Sequence, residues 1–155
     1  MPNDLSKIRV YVKKEHYGVY QSLIGKVFSQ YHTLFALAVF IGYKTQKPLP
    51  FPAANKKELF WSNTFSQDEL NGFYALFVLE NEKNNRVLLE NKEEAVKWLQ
   101  EYANSGMEEL VKSSCLKKYI HKTGEDYTLE FSSKDYLQKQ MLFEIFSKYS
   151  ATEKV

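Results

Sequence analysis

The centre of this chain reads Thr33-Leu-Phe-Ala-Leu-Ala-Val-Phe-Ile-Gly-Tyr43, a block that is apolar on all sides. It runs into the polar loop Lys44-Thr-Gln-Lys-Pro-Leu-Pro-Phe-Pro52 and then into the aromatic segment Leu59-Phe60-Trp61. A helix that is apolar all round is buried, so the block predicts the centre of the fold. Prolines cannot continue a helix. We therefore expect a helix with Gly42 as its left-handed C-terminal residue, followed by a loop from Tyr43 to about Asn55.

The length of 155 residues fits one domain. We expect residues 1–150 to form a single helical domain and residues 151–155 to form a frayed tail. Cys115 is the only cysteine, and no apolar export signal follows Met1, so we expect a reducing cytoplasm. The apolar block is shorter than the ~20 residues that span a bilayer, so no membrane contact is expected.

The net charge of +2 is close to balanced, and the kind of cation is more informative. Arg9 and Arg86 are the only arginines among 21 basic residues. Arginine is the side chain that reads guanine edges bidentately, so the composition disfavours a sequence-specific DNA reader. A lysine-rich surface fits either solubility or diffuse, salt-sensitive contact with phosphates.

Hydrophobic periodicity predicts the N-terminal elements. Ile8-Arg-Val-Tyr-Val12 alternates, which predicts a short strand or an extended arm. Apolar residues from Val19 to Val27 recur at helical spacing, and they predict a helix over about His16–Phe28.

Capping signals predict where the next helices begin. Ser66-Gln-Asp-Glu69 is a capping box that opens a helix through Val78, and the polar run Asn81–Asn85 predicts a turn after it. Val87–Leu89 predicts a strand or a packed connector. Asn91-Lys-Glu-Glu94 then repeats the capping pattern.

Beyond Asn91 the apolar spacing continues across Asn104-Ser-Gly106. One long helix with a close contact at Gly106 and two helices broken there are both compatible with this pattern, and the three poor helix formers favour the break or a kink. Tyr127–Phe131 alternates like a strand, and Ser132-Ser-Lys-Asp135 opens a last helix. The sequence thus predicts a mainly α, compact single-domain helical bundle of about five helices, alone or with a minor β-hairpin.

Residues that carry chemistry are few. His16, His32 and His121 are the only histidines, and no pair has the i,i+4 spacing of a helix-borne zinc site, so we expect no metal. We expect His32 to pair with a backbone group. Cys115 lies among cations that lower a thiol pKa, but a half-buried, inert thiol is the favoured reading. No phosphate-binding glycine loop occurs, and no cofactor is expected. Three pairs of glutamates are expected on solvated faces or at helix ends: Glu80-Asn-Glu82, Glu93-Glu94 and Glu108-Glu109.

Basic residues gather in the C-terminal half and form the predicted DNA-binding set. Its members are Lys112, Lys117, Lys118, His121 and Lys122. Tyr119 interleaves them and could stack a base. The simpler alternative is that lysines in a last helical turn complement the helix dipole. A second basic set flanks the proline loop, and DNA binding gains support if the two sets share a face: Lys44, Lys47, Lys56 and Lys57.

Aromatic residues make up 15% of the chain, more than a core of this size needs. Those beside irregular structure are candidates for an exposed interface, because exposed aromatics often anchor protein partners. Together with two lysines of the loop they form the predicted partner-binding set: Lys44, Lys47, Phe51, Phe60 and Trp61, with Phe65 nearby. The alternative is that the loop folds back and caps its own core.

Four stretches resemble a known family. They are Phe35-Ala-Leu-Ala-Val-Phe-Ile-Gly-Tyr43, Tyr74-Ala-Leu-Phe-Val-Leu-Glu80, Val87-Leu-Leu89 and Gln100-Glu-Tyr-Ala-Asn-Ser-Gly106. In this order they resemble the small accessory proteins found with bacterial DNA-phosphorothioation (Dnd-type) defence systems. The resemblance implies a prokaryotic host-defence setting and a multi-protein DNA-targeting apparatus, and it carries over no active-site residue.

The leading hypothesis is therefore a non-enzymatic accessory subunit of an anti-phage, DNA-targeting complex. It would dock on a larger nuclease or ATPase and make non-specific contact with DNA through lysines. The alternative is a stand-alone, lysine-rich DNA-binding or regulatory protein. A small enzyme or toxin using Cys115 or His121 is the third hypothesis.

Overall fold

The computed structural model describes residues 5–45, 47–84, 88–123, 126–130 and 134–145. Its elements are β1 (Arg9–Lys13), α1 (Tyr17–Leu23), α2 (Tyr31–Thr45), β2 (Lys56–Trp61), α3 (Gln67–Asn84), α4 (Lys92–Lys112), α5 (Ser114–Lys117), β3 (Ile120–Thr123), β4 (Asp126–Leu129) and α6 (Lys134–Ile145). Single 3-10 turns occupy Lys14–His16, Ala53–Asn55 and Ser62–Thr64. The prediction of a mainly α fold with minor β-structure is confirmed. Within the described ranges, no helix is both long and apolar enough to cross a membrane. The predicted tail, residues 151–155, lies outside these ranges.

Helices α2 and α4 cross with their backbones in contact. A Cβ added at Gly42 would overlap the carbonyl oxygen of Tyr102, and one added at Gly106 would overlap that of Ala38. Gly106 is therefore a contact glycine inside a continuous α4, and the favoured break at 104–106 is wrong. The prediction for Gly42 is also wrong, because it lies inside α2 without a positive φ.

Polar residues in the middle of α4 hold the loop that follows α2. Asn104 Nδ2 donates to the Leu49 carbonyl at 2.7 Å, and the Leu49 amide donates to the Glu101 carbonyl at 3.1 Å. Ser105 Oγ lies 3.2 Å from Thr45 Oγ1. The low helix propensity that suggested a break costs about 0.5 kcal/mol per residue. Buried packing and hydrogen bonds of about 1 kcal/mol each offset that cost.

Two helices end elsewhere than predicted. α1 stops at Leu23 and not at Phe28, because Ile24 is extended and Gly25 has a φ of 83°. α3 continues through the polar run to Asn84, where a turn was predicted. Asn84 Nδ2 donates to Glu80 Oε2 at 2.8 Å, an i,i+4 bond that supports the last turn.

Local capping predictions are confirmed. Ser66 Oγ accepts from the Glu69 amide at 3.1 Å, and Glu69 Oε1 accepts from the Ser66 amide at 2.9 Å. Asn91 Oδ1 accepts from the Glu94 amide at 3.1 Å and caps α4. Glu69 also lies 2.8 Å from Nδ1 of His32, so the predicted backbone partner of His32 is wrong.

Two strand pairs flank the helices. β1 pairs antiparallel with β2 in a register that sets Arg9 opposite Trp61, which confirms the predicted N-terminal strand. β3 pairs with β4 as a hairpin. Ser62 Oγ ties the N-terminus to the end of β2, because it accepts from the Ile8 amide at 2.8 Å. The strand β2 and the hairpin partner β3 were not predicted individually.

Aromatic rings fill the space between α2, β2 and α3. Phe60 packs edge-on against Phe35 at 5.4 Å and against Phe65 at 5.1 Å, measured between ring centroids, and Phe65 packs edge-on against Phe73 at 5.0 Å. Phe60 and Phe65 are buried. The expectation that these two rings are unsheltered is therefore wrong, because the segment folds back onto its own core.

Candidate functional site

The outer face of the β1–β2 pair carries cations that are stacked on aromatic rings. The Arg9 guanidinium lies 3.9 Å from the centroid of the Trp61 ring, and Lys7 Nζ lies 5.2 Å from the same ring. Trp61 remains 37% exposed. The register that sets Arg9 opposite Trp61 produces this stack, since directly opposed residues share one face of a strand pair.

Two lysines of β2 lie over tyrosine rings, one on each face of the strand pair: Lys56 is on the face of Arg9 and Trp61, whereas Lys57 is opposite the buried Val12 and lies on the other face. Lys56 Nζ is 4.1 Å from the Tyr11 centroid, and Lys57 Nζ is 5.2 Å from the Tyr17 centroid. Such cation–π contacts contribute about 0.5–1 kcal/mol at exposed sites, so they restrain the ammonium groups without neutralising them.

A cleft of about 210 Å³ opens where the Lys57 side of β2 meets α1 and β4. It is lined by Lys14, Tyr17, Gly18, Gln21, Lys57 and Thr128. A Cβ added at Gly18 would overlap the Tyr127 carbonyl oxygen, so the backbones of α1 and β4 meet directly at the floor of the cleft. The Leu129 amide donates to Ser22 Oγ at 3.2 Å and fixes the same junction.

Beside the cleft lies an ionic cluster in which His16 is buried and Lys13, Glu15 and Glu108 are half-buried. His16 Nε2 donates to Glu108 Oε2 at 2.7 Å, and Lys13 Nζ lies 2.7 Å from Glu15 Oε1. The hydrogen bond from His16 lowers the pKa of Glu108, while the hydrogen bond to Glu15 raises the pKa of Lys13. The His16 ring also stacks on Tyr127 with centroids 6.4 Å apart.

Three members of this cluster could offer metal ligands. One ligand atom from each of Glu15, His16 and Glu108 lies within 4.8 Å of the others. Sequence spacing did not indicate this grouping, because Glu108 is far from the other two along the chain. Lys13 already supplies a positive charge to Glu15, and His16 already donates to Glu108. The arrangement therefore works as a self-neutralised structural network.

Members of the predicted DNA-binding set are exposed, but they differ in their surroundings. Lys112 ends α4, and Lys117 and Lys118 follow in and after α5. His121 Nε2 lies 3.0 Å from Glu130 Oε1, and Lys122 Nζ lies 5.5 Å from the Tyr127 ring. Their contact with DNA stays a prediction.

The hairpin that carries His121 and Lys122 borders the cleft. Thr128 pairs with His121 across β3–β4 and also lines the cleft beside Lys57. One part of the second basic set, Lys57, thus lies near one part of the first. Lys47 lies apart, in the loop that is hydrogen-bonded to α4 through Leu49.

The predicted partner-binding set does not form one patch. Lys44 and Lys47 are exposed, Phe51 is half-buried, and Phe60 is buried at 9% exposure. Trp61 is exposed but lies beneath Arg9. The expected role of Phe60 as an exposed anchor is wrong, because its ring belongs to the core.

Other predicted chemistry is corrected or untested. Glu80 was expected at a helix end or on a solvated face, but it is buried. The pKa of Tyr43 is raised chiefly by the burial of Tyr43 itself and secondly by the charge of Glu80. The side chain of Cys115 lies outside the described part of the structure, so its role stays a prediction.

Sequence reasoning missed two surfaces. The cleft joins residues from four elements, and no local pattern links Lys14 to Thr128. The outward face of α6 carries Tyr136, Leu142 and Phe143. The sequence contained an indication of this face, because apolar residues of α6 occur at helical positions that point in opposite directions.

A comparison with protein families identifies what the fold is related to. The model of the family described as DNA sulphur modification system-associated protein 4 matches residues 9–148. No curated protein and no solved structure matches the chain. The family match confirms the resemblance to Dnd-type accessory proteins and supports an accessory role in such a system. The chain belongs to the family of DNA sulphur modification system-associated protein 4.

Proposed function

We propose that this chain is a non-enzymatic accessory subunit of a prokaryotic anti-phage defence complex, and that it docks on a larger nuclease or ATPase of the DNA sulphur modification system. Family membership supports the setting, since the family is described by its association with that system. The proposed place of action is the cytoplasm, where the DNA is.

The observation that carries the docking proposal is the apolar outward face of α6. Phe143 is 75% exposed and Leu142 is 63% exposed, with Tyr136 one further step along the same side. The opposite side of α6 buries Leu137 and Met141 in the core. A surface helix normally turns polar residues outward, so an apolar outward face indicates a covered surface.

The chemistry of this face indicates what covers it. The outward side also exposes Asp135 and Lys139, one charge of each sign beside the apolar residues. A partner surface that is apolar at its centre and charged at its rim complements this arrangement, because apolar area supplies affinity and opposite charge supplies orientation. The occupant we propose is a protein of the same system and not a second copy of this chain.

A non-catalytic role is supported by the pairing of the buried and half-buried ionisable groups. His16 is buried, and its Nε2 is committed to Glu108. Glu15 is held by Lys13. A general base needs access to the proton it abstracts, and these groups are occupied by one another.

Co-expression with the proteins encoded beside this chain tests the docking. A tagged wild-type chain should retain one nuclease or ATPase subunit, and the Leu142→Ser, Phe143→Ser double variant should lose it. The matched control is Val78→Ser, Leu79→Ser, which changes an exposed apolar pair on α3 and should retain the subunit. Wild-type chain that purifies without any neighbour would contradict the proposal, as would equal retention by the α6 variant. A self-association that only the α6 variant loses would identify a second copy as the occupant and would also contradict it.

A second candidate function is direct, non-specific contact with DNA. It is favoured by the cations that β1 and β2 hold over aromatic rings, Arg9 and Lys56 on one face and Lys57 on the other. The two functions are compatible, since a docked subunit can also contact the DNA that its complex targets.

A further inference from the structure

Two lysines in the cleft stand out by their lack of an acidic partner. Within the described ranges, no carboxylate lies within ion-pair distance of Lys14 or Lys57. The adjacent Lys13 differs, because Glu15 holds its ammonium at 2.7 Å. Two uncompensated charges at one concave site attract an anion more strongly than the same charges spread over a convex surface.

The remaining lining groups suit a phosphate. Gln21 offers an amide N–H₂, and Thr128 offers a hydroxyl, so donors accompany both lysines. Phosphate oxygens accept several charge-assisted hydrogen bonds at once. A volume of about 210 Å³ is several times the ~30 Å³ share of one water, which leaves room for a phosphate and part of its ester substituents.

Rigid elements position these donors before any ligand arrives. Lys57 Nζ is restrained over the Tyr17 ring at 5.2 Å. The contact between Gly18 and the Tyr127 carbonyl fixes Thr128 of β4 against α1. Such preorganisation reduces the entropy that binding would otherwise lose.

A cation outside the cleft favours a phosphate that belongs to a polymer. Lys56 Nζ lies 4.1 Å from the Tyr11 centroid and is next to Lys57 in β2, on the opposite face of the strand. Arg9 lies further along the Lys56 face, but Glu58 is 3.7 Å from its guanidinium, so Arg9 already has an acidic partner. A small free anion would use the cleft alone, whereas a nucleic-acid backbone would also contact Lys56.

We propose that the cleft between Lys14 and Lys57 binds a backbone phosphate of duplex DNA, with Gln21 and Thr128 as additional donors and with Lys56 binding a neighbouring phosphate. This inference deepens the second candidate function and does not depend on docking through α6. We expect this recognition to be independent of base sequence, since all of these groups are proposed to contact phosphates and none to contact a base edge.

Fluorescence anisotropy of the isolated full chain on a labelled random-sequence duplex, over a series of salt concentrations, tests this proposal. The logarithm of the binding constant should fall linearly with the logarithm of the salt concentration, with a slope of about 0.9 for each phosphate contacted. The Lys14→Gln, Lys57→Gln double variant should bind more weakly and should reduce the slope by about 1 to 2. Thermal unfolding of the double variant should match wild type, because both side chains are exposed.

The matched control removes the same charge elsewhere. Lys83→Gln, Lys97→Gln changes two exposed lysines of α3 and α4 and should leave the slope unchanged. No binding of duplex by wild type at low salt, or an equal loss in both double variants, would overturn the proposal. A companion NMR titration with inorganic phosphate should shift the amide signals of Gln21 and Thr128. If phosphate shifts them but the duplex does not bind, the cleft takes a free anion and the DNA assignment is wrong. None of these outcomes bears on docking through α6, which the co-expression experiment tests separately.

Discussion

Glu108 Oε2 lies 2.7 Å from His16 Nε2, and this contact joins residues 92 positions apart in the sequence. His16 is only 1% exposed. An ionised carboxylate can only accept hydrogen bonds, so Nε2 carries the proton of this one. The contact fastens the turn after β1 onto α4, and so holds the base of the cationic face against the central helix pair.

Removing the acceptor should destabilise the fold. Glu108→Ala leaves His16 buried without a partner, and we expect the free energy of unfolding to fall by about 1–3 kcal/mol. Urea denaturation at neutral pH measures it. Glu82→Ala removes an exposed carboxylate of α3 and should have little effect. Equal effects of the two variants would mean that the buried contact contributes nothing particular.

The same pair predicts how stability depends on pH. The pKa of Glu108 is below its ordinary value of 4.5, chiefly because of the hydrogen bond from His16. As the pH falls, Glu108 is therefore protonated in the unfolded chain before it is protonated in the folded chain. The contribution of ionised Glu108 to the free energy of unfolding is fully present above pH 4.5 and is lost as the pH falls through the folded-state pKa. In urea series at stepped acidic pH, Glu108→Gln should show a shallower fall than wild type in this window. Parallel curves would contradict the assignment.

The crossing of α2 and α4 predicts an unusual response at Gly106. In an ordinary exposed helix position, Gly→Ala stabilises by about 1 kcal/mol. Here the added Cβ would overlap the backbone of Ala38, so we expect Gly106→Ala to destabilise by about 1–3 kcal/mol or more. The sign of the change in melting temperature is the measurement. A more stable variant would mean that the helices do not meet at this glycine.

The features that the sequence predicted correctly are local ones. The capping box at Ser66 and the cap at Asn91 depend on side chains three residues away, and both occur as expected. The all-round apolar block was correctly predicted as a central helix, because burial on every side follows from composition alone. The fold class follows from adding such local elements.

The errors arose where a distant segment determines the outcome. Gly42 and Gly106 are interior helix residues because each faces the backbone of the other helix, and nothing near them in sequence reveals that. Glu80 was assigned to solvent because the end of α3 was placed too early. The cleft was not predicted because its lysines come from separate elements, whereas the predicted basic sets consist of residues that are close together in sequence.

A pair of neighbouring aromatic residues provides the final prediction. Phe60 and Trp61 are adjacent, but the alternation of β2 points Phe60 into the core and Trp61 toward the cations. Phe60→Ala should lower the free energy of unfolding by about 3–5 kcal/mol, since it leaves a cavity between Phe35 and Phe65. Trp61→Ala should cost about 1 kcal/mol, the order of an exposed cation–π contact. Denaturant unfolding of both variants measures the difference. If Trp61→Ala were the more damaging change, the pairing of Val10 with Phe60 and of Arg9 with Trp61 would be wrong by one residue, because a slip of one position exchanges the two faces of the strand.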